Sequence, residues 1–472
     1  RAFVLTAFFI LTAVMNRCFK LSLLLVLASL KRIFIPMKKQ NTISKLVSST
    51  GLQHAGYLAV AKTRAKVLKA FAYVVPIRRP MLFVGETSCE DLCDMLINEG
   101  NTNVFIVTDA VLNKLGIPAK VTDYLDSKNI SYKIYDGITP DPTFKVVEEG
   151  LRKSVDAKCD SIIAIGGGSV IDAAKMIAMS QGNNCKPKQL IGILKARKPS
   201  IPLYCIPTTA GTGSEATLGA VVSDDKTHQK ALSIDPRMVP LAAAIDPIIM
   251  KGMPAHITAD TGIDVLTHAL EAWMSANASV ETDYYAASAV KAVMQNLPLV
   301  YKDGSNLKAR EEMGIAAHYG GIAFNKAGLG YVHAIAHQLG AHYSIPHGRA
   351  NAIVLPYVLD VNRKGSKKRL AELARKTGMV KSGQAGKSDS DIADSLIAQV
   401  RELIATLNID PTVKNMQSSD FNDIAKAAAK EVSDTYAVPT YLSAAEIKDI
   451  LTKIKQASDE HASRDAKTGK VA

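Results

Sequence analysis

The fold of this chain is decided at Cys159-Asp-Ser-Ile-Ile-Ala-Ile-Gly-Gly-Gly-Ser169, which leads into Val170-Ile-Asp172-Ala-Ala-Lys175. The apolar run predicts a short buried strand, and a helix begins after the three glycines. Glycines let a diphosphate approach the backbone, and Ser169 could cap the helix whose N-terminal N–H groups face the anion. The stretch indicates a nucleotide cradle, although it lacks the G-x-G-x-x-G form and a glycine run after a strand is often only a turn.

A second stretch has the same character. The apolar residues 203–206 are followed by Pro207-Thr-Thr-Ala-Gly-Thr-Gly-Ser-Glu215, whose hydroxyls and small residues could serve a phosphate or a ribose. Upstream, a strand over residues 103–109 ends in Asp109, where a helix begins. Asp109 could bind ribose hydroxyls and repel a 2′-phosphate, favouring NAD over NADP, or it could simply cap that helix. The local sequence leaves both interpretations open.

Short apolar runs alternate with helical stretches in the first half of the chain, up to about Met253. This alternation predicts a parallel sheet covered by helices, with nucleotide sites at the carboxyl ends of the strands. The predicted strands cover residues 81–84, 104–107, 162–165, 203–206 and 242–245, and the predicted helices include residues 89–99 and 144–155.

After Pro254 the strand signals fade, and stretches rich in Ala, Leu, Ile, Lys and Glu predict a helical second half. Helices are predicted over residues 284–295, 309–319, 368–377, 390–407 and 444–456. Breaks are predicted at Pro298, at Gly304, at a basic turn over residues 364–368, at residues 382–388 and at Pro411.

Metal-binding side chains are concentrated in this helical half, since six of the ten histidines lie between His268 and His347. Asp264 and His268 have helical i,i+4 spacing, and so do His333 and His337. Two helices and the loop after the second could therefore offer one carboxylate and three imidazoles to one cation. That donor set suits Fe(II) or Zn(II) better than Mg(II) or Ca(II), and the spacing favours metal binding over scattered core histidines.

These motifs together resemble the iron-containing (group III) alcohol dehydrogenase family. The resemblance runs in order from about Pro80 to about Lys455 and rests on four motifs. It implies a dehydroquinate-synthase-like architecture with a Rossmann-like α/β domain and an all-α metal-binding domain. The expected divisions are a basic, acid-free extension (1–75), an NAD-binding domain (76–256), a helical metal-binding domain (257–456) and a disordered tail (457–472).

The resemblance also implies roles for individual residues. Asp264, His268, His333 and His347 match the family's metal ligands, and His337 matches a nearby histidine implicated in substrate or proton handling. Two segments depart from the family's sequence pattern, and both are expected near the substrate pocket: Phe324-Asn-Lys326 and Val438-Pro-Thr440. The positions that match cofactor contacts are Asp109, Gly167, Gly168, Ser169, Asp172, Thr208, Thr209, Gly211, Thr212, Val222 and Lys230.

The implied activity is hydride transfer between a small alcohol or aldehyde and NAD, with Fe(II), or alternatively Zn(II), as the Lewis acid. Two alternatives stay open: a metal- and NAD-dependent lyase or synthase of the dehydroquinate-synthase type, and a non-catalytic nucleotide- or metal-binding scaffold. The Gly-Thr-Gly-Ser-Glu turn and the absence of a Lys/Arg cluster near the metal helices argue against the first, and the intact ligand set and nucleotide cradle argue against the second. A homodimer is expected.

Charge separates the N-terminal extension from the rest of the chain. Fourteen of the 57 Lys and Arg residues, and none of the 44 Asp and Glu residues, lie in residues 1–80. The near-neutral remainder argues against nucleic-acid binding. Residues 1–72 could be an organellar targeting segment or make weak membrane contact, and Met37 could be the true start. Six cysteines without a C-x-x-C pattern indicate reduced thiols, and the cytoplasm is the expected location.

Overall fold

The computed structural model describes residues 77–226, 229–380, 383 and 386–468, with side chains up to residue 464. All of these residues belong to one compact unit of the chain. The predictions made for residues 1–75, including the start at Met37, lie outside the described residues. The division into domains at residues 256 and 257 stays a prediction.

A parallel six-stranded sheet forms the first half, in the order β1-β9-β6-β4-β2-β3. The strands are β1 (Met81–Val84), β2 (Asn103–Asp109), β3 (Ser131–Ile138), β4 (Ser161–Gly166), β5 (Gly192–Ile193), β6 (Leu203–Pro207), β7 (Gly219–Ser223), β8 (Lys230–Ile234) and β9 (Ala242–Ile245). The helices are α1 (Ser88–Asn98), α2 (Ala110–Lys114), α3 (Ala119–Ser127), α4 (Phe144–Asp156), α5 (Gly168–Asn183) and α6 (Pro247–Met250).

The sheet is covered on both faces, which explains why its central strands read as unbroken apolar runs. In β4 every residue is buried, and its side chains alternate between two cores. Ile162 and Ala164 pack with α4 and α5 on one face. Ile163 and Ile165 belong to the core on the other face, which α1 and α3 cover. The predicted parallel sheet is confirmed.

Four of the strands, β3, β5, β7 and β8, do not correspond to any strand predicted from the sequence. β3 reads Ser-Tyr-Lys-Ile-Tyr-Asp-Gly-Ile, and its polar residues fit an edge position with one solvated side. The short strands β5, β8 and β7 form a separate three-stranded sheet, in which β7 and β8 pair antiparallel. Strand β5 has two residues, and β7 and β8 have five each. Strands of this length are too short to show a recognisable periodicity in the sequence.

The second half is helical, as predicted, and buries a core of its own. Its helices are α7 (Ala255–Met274), α8 (Val280–Lys302), α9 (Leu307–Ala327), α10 (Tyr331–Tyr343), α11 (His347–Thr377), α12 (Asp389–Thr406), α13 (Phe421–Thr435) and α14 (Ala444–Thr468).

Several predicted boundaries in this half are wrong. Pro298 does not end α8, and residues 364–368 continue α11 rather than forming a turn, because Ser366 and Leu370 on its inner face are buried. The tail after Ala457 is helical as far as Thr468. Ser458 is buried there and its Oγ accepts a hydrogen bond from Val413 N at 3.0 Å. The polar composition of the residues after Ala457 gives no indication of this contact, so the helix was not predicted there.

Within the described residues, no helix is both long and apolar enough to cross a lipid bilayer.

Candidate metal centre and cofactor turn

One carboxylate and three imidazoles converge where α7, α10 and α11 meet. Asp264 and His268 lie one turn apart on α7, and His333 lies near the start of α10. His347 was expected in a loop but is the first residue of α11, after Pro346. One ligand atom from each residue lies within 4.8 Å of all the others. The structure therefore brings together all four residues that the sequence singled out.

The distances around the carboxylate suit a shared cation. Asp264 Oδ1 lies 3.7 Å from His268 Nε2, 3.5 Å from His333 Nε2 and 3.4 Å from His347 Nε2. Donors about 2.1 Å from a common tetrahedral ion lie about 3.4 Å apart. One oxygen and three imidazole nitrogens are also a donor set that Fe(II) and Zn(II) accept. The residues present therefore fit such an ion.

Burial and mutual contact perturb the acidities of this cluster. Burial raises the pKa of the Asp264 carboxyl, but the nearby imidazoles of His268 and His347 outweigh it and hold that pKa well below its usual range. Burial lowers the pKa of His268 to about 3. Burial also lowers the pKa of His333, yet hydrogen bonds to Asp264 and Glu271 outweigh it and raise that pKa to about 9. Asp264 is thus held as an anion.

Asn351 on α11 holds the carboxylate in place. Its Nδ2 donates to Asp264 Oδ1 at 2.7 Å and lies 3.3 Å from His333 Nε2 and 3.2 Å from His347 Nε2. The Asn351 side chain is fully buried, and its Oδ1 has no partner in the described structure. One amide therefore contacts three of the four clustered residues.

The first of the two departures from the family pattern lies at this cluster. The Phe324 ring on α9 stacks on the His268 imidazole, with centroids 4.4 Å apart. Asn325 faces the other half of the protein, where its Oδ1 accepts a hydrogen bond from Leu218 N at 3.0 Å. The second departure, at residues 438–440, does not contact the four clustered side chains in the same way. Val438 is instead buried beside Glu271 and Gly330.

His337 lies beside the cluster rather than in it. Its ring stacks on His347 with centroids 5.3 Å apart, and about 30% of its side chain is exposed. Its Nδ1 is 2.8 Å from Glu431 Oε1, which also accepts a hydrogen bond from Tyr436 OH at 3.0 Å. Burial lowers the pKa of His337. A hydrogen-bonded chain of three titratable side chains thus begins at the edge of the cluster.

The two predicted nucleotide stretches pack directly on each other. Thr208 N donates to Gly166 O at the end of β4, across the pairing of β4 with β6. A Cβ added at Gly168 would lie 2.7 Å from Thr212 Cγ2, so any larger residue would displace the Thr212 side chain. A Cβ at Gly211 would lie 2.7 Å from Thr261, three residues before Asp264. The Thr208–Thr212 turn therefore connects the glycine loop to the helix that carries the carboxylate.

Asp172 fixes the far side of this turn. Its Oδ2 accepts a hydrogen bond from Val221 N at 2.9 Å, and its Oδ1 accepts one from Ser214 Oγ. The neighbouring Lys175 Nζ is fully buried and donates to Thr217 Oγ1 at 2.9 Å and to Gly219 O at 2.8 Å. Burial raises the pKa of Asp172 and lowers that of Lys175. Both side chains are engaged in holding the turn.

The remaining predicted cofactor positions differ in exposure. Asp109 at the end of β2 caps α2, with both bonds, from Val111 N and Leu112 N, made to Oδ1. Ser169 does not cap α5, because Gly167 occupies the N-cap position. Val222 on β7 is fully buried in the core that α4 and α5 form with one face of the large sheet. Lys230 is exposed and pairs with Asp141 at 3.1 Å.

Three residues at the site were missed from the sequence. Glu271 was not predicted, although its position three residues after His268 could have placed it on the same helix face. Asn351 stands four residues after His347, which could have revealed it once His347 was placed in a helix. Glu431 is 94 residues from His337, and no spacing rule connects them.

Comparison with known proteins gives a consistent result. Residues 80–247 match the family described as iron-containing alcohol dehydrogenase, and residues 258–455 match the Fe-containing alcohol dehydrogenase family, C-terminal. Alcohol dehydrogenase 4 of Saccharomyces cerevisiae is 36% identical over 353 residues, which is 74% of this chain and 90% of that protein.

Two further relatives extend the comparison. The NAD-dependent methanol dehydrogenase of Bacillus methanolicus is 33% identical over 380 residues, covering 80% of this chain and 98% of that protein. The crystal structure of a 1,3-propanediol oxidoreductase superposes with a TM-score of 0.76 at 34% identity, over 80% of this chain and 100% of that one. This fold and that of the solved relative are therefore the same.

Proposed function

The chain belongs to the iron-containing alcohol dehydrogenase family, and we propose that Asp264, His268, His333 and His347 bind the iron of this enzyme. It is an NAD-dependent oxidoreductase that acts on CH–OH groups and the corresponding carbonyls. The observation that carries the assignment is the convergence of three imidazole nitrogens on one oxygen of a buried carboxylate. When bound, iron supplies Lewis acidity toward an alcohol or carbonyl oxygen, and NAD supplies the hydride acceptor or donor.

The substrate is a small alcohol or aldehyde. Relatives are named for methanol and for 1,3-propanediol. His347 in the cluster and His337 beside it are both partly exposed imidazoles. We propose that the substrate oxygen enters from this side, with Phe324 behind His268 limiting the depth. The compact aromatic boundary favours short substrates.

His337 is proposed as the group that exchanges the substrate's proton. Burial lowers the pKa of His337, so the ring is neutral near neutral pH and one of its nitrogens offers a lone pair to the substrate's proton. The Glu431 carboxylate holds Nδ1, which leaves Nε2 as the accepting atom. Because about 30% of the His337 side chain is exposed, the proton can then be transferred to solvent.

The cofactor is proposed to bind along the carboxyl ends of β2, β4 and β6. The first turn of α5 would face the diphosphate with Gly167, Gly168 and Ser169, and Thr208, Thr209, Gly211 and Thr212 would line the adjoining turn. Asp109 Oδ2, which takes no part in the helix cap, is available to the adenosine ribose. Lys230 and the backbone beside Val222 complete the proposed contacts, and Asp172 supports the turn from behind.

We also propose a homodimer in a reducing compartment such as the cytoplasm. The sheet edge at β1 leaves Met81 and Val84 about half exposed, and such an edge is commonly covered by another chain. The five cysteines of the described residues are free thiols, which suits reducing surroundings.

A direct assay tests the activity. The purified full chain, supplied with Fe(II) or Zn(II), is incubated with NAD and short alcohols, or with NADH and short aldehydes, while NADH absorbance is followed. We expect turnover that stops after chelation and returns when metal is added back. Absence of turnover with every alcohol and aldehyde, in the presence of Fe(II) and NAD(H), would contradict the proposed function.

A further inference from the structure

Glu271 is a buried carboxylate that the proposed reaction does not use. It lies three residues after His268 on α7, and only 4% of it is exposed. Asp264, His268 and Glu271 therefore come from one helix. A carboxylate at this depth needs compensating donors, and every donor that the structure gives it belongs to the beginning of α10.

Three hydrogen bonds hold Glu271. Its Oε2 accepts from Gly330 N at 2.9 Å and lies 2.6 Å from His333 Nδ1, while its Oε1 accepts from Val332 N at 2.7 Å. Gly330 is the N-cap of α10 and offers no side chain to that helix end. Glu271 therefore supplies from α7 the negative charge and the acceptors that the first turn of α10 lacks.

The contact with Nδ1 determines which nitrogen of the His333 ring can act as a metal ligand. Because Nδ1 donates its proton to Glu271, the lone pair of the neutral His333 ring lies on Nε2. That Nε2 is the atom 3.5 Å from Asp264 Oδ1. His268 has no such support, since its Nδ1 is buried without a hydrogen-bond partner in the described structure. The carboxylate behind His333 is thus a specific feature of one of the three histidines.

We propose that Glu271 is a positioning residue for the metal centre, which fixes the tautomer and the orientation of His333 relative to Asp264 and His268. The proposal rests on the proposed function in one respect, namely that His333 binds the metal. Glu271 connects α7 and α10, two of the three helices that carry the donors, so its loss separates a ligand from its partners without removing any ligand.

The alternative is that Glu271 only caps α10 and stabilises the fold. Both roles predict that Glu271→Gln lowers the melting temperature, because a neutral amide offers an N–H where the site needs acceptors. The two roles differ in metal retention. Loss of carboxylate support behind a metal-binding histidine typically costs ten- to hundredfold in metal affinity.

The experiment measures the rate at which the full-length holoenzyme releases Fe(II) to a chromogenic chelator, together with the melting temperature and the visible spectrum of the Co(II)-substituted enzyme. Glu271→Gln should release iron at least tenfold faster than the wild type and should alter the Co(II) ligand-field bands. Glu271→Asp keeps the charge and should lie between the two, and it also serves if the Gln variant does not fold.

Glu215→Gln is the matched control, because Glu215 forms a second buried glutamate–histidine pair, 3.3 Å from His318 Nδ1. It should lower the melting temperature while leaving iron release and the Co(II) spectrum as in the wild type. Wild-type iron release and spectra in both Glu271 variants would overturn the proposal. His333→Ala distinguishes a failure of the ligand assignment from a failure of the role proposed for Glu271. If His333→Ala retains its iron, the ligand assignment is contradicted. If His333→Ala loses its iron but Glu271→Gln retains it, only the role of Glu271 is contradicted.

Discussion

At the residue scale, Asp109 caps α2 through Oδ1, and we propose that its Oδ2 binds the adenosine ribose. Asp109→Gly should therefore shift the ratio of kcat/KM for NADP over NAD upward by about tenfold, or about 1.4 kcal/mol. Glycine is a tolerable N-cap, so the helix should survive. Asp109→Asn keeps the cap and removes the charge, and it should shift the ratio in the same direction. A wild-type preference for NADP would refute this role.

Gly168 tests the cofactor turn in a different way. A methyl group at this position would meet Thr212 at 2.7 Å, whereas nothing lies within 4 Å of one at Gly252. Gly168→Ala should raise the KM for NAD at least severalfold, because Thr212 must move out of the turn. Gly252→Ala should leave the KM unchanged. Equal KM values in the two variants would show that the turn does not contact the cofactor.

The sequence predicted the residues of the metal cluster because helical spacing brings Asp264 and His268 together without tertiary information. It could not predict the contacts that hold them. Glu431 approaches His337 from a helix far along the chain, and Asn351 depends on α11 starting at His347 rather than later. Such contacts follow from packing, which no local pattern encodes.

At the element scale, α11 is the least expected feature, because one helix of 31 residues runs through the basic residues 364–368. Lys364 is exposed, so Lys364→Pro tests the backbone alone. In a helix interior this change should cost about 3 kcal/mol or more, and Lys364→Ala should be nearly neutral. Thermal unfolding of both variants decides the matter. A proline tolerated as well as alanine would restore the predicted turn.

Whether the sequence predicted an element depended on burial. The central strands β2, β4, β6 and β9 are buried on both faces, and their apolar runs were recognised. The edge strand β3 carries polar residues on its exposed positions and was missed. The sequence predicts a helix end at Pro298, but Pro298 lies inside α8, one turn before that helix ends at Lys302.

At the scale of the whole molecule, the family match begins at residue 80, and every proposed site residue follows Asn103. A shortened chain that starts at Met37 should keep its metal content, its kcat and its melting temperature. These are measured beside the full chain, with the oligomer mass by light scattering. A large fall in any of them would show that residues 1–36 contribute to the folded enzyme.

The central claim is that one carboxylate and three imidazoles bind the iron on which turnover depends. The most direct measurement is the iron content per chain, with NAD-dependent alcohol oxidation, in His268→Ala, His347→Ala and His342→Ala. His342 lies exposed near the end of α10 and is the matched control. We expect the first two variants to lose most of their iron and their activity, and His342→Ala to keep both. Full iron content and activity in His268→Ala and His347→Ala would contradict the claim.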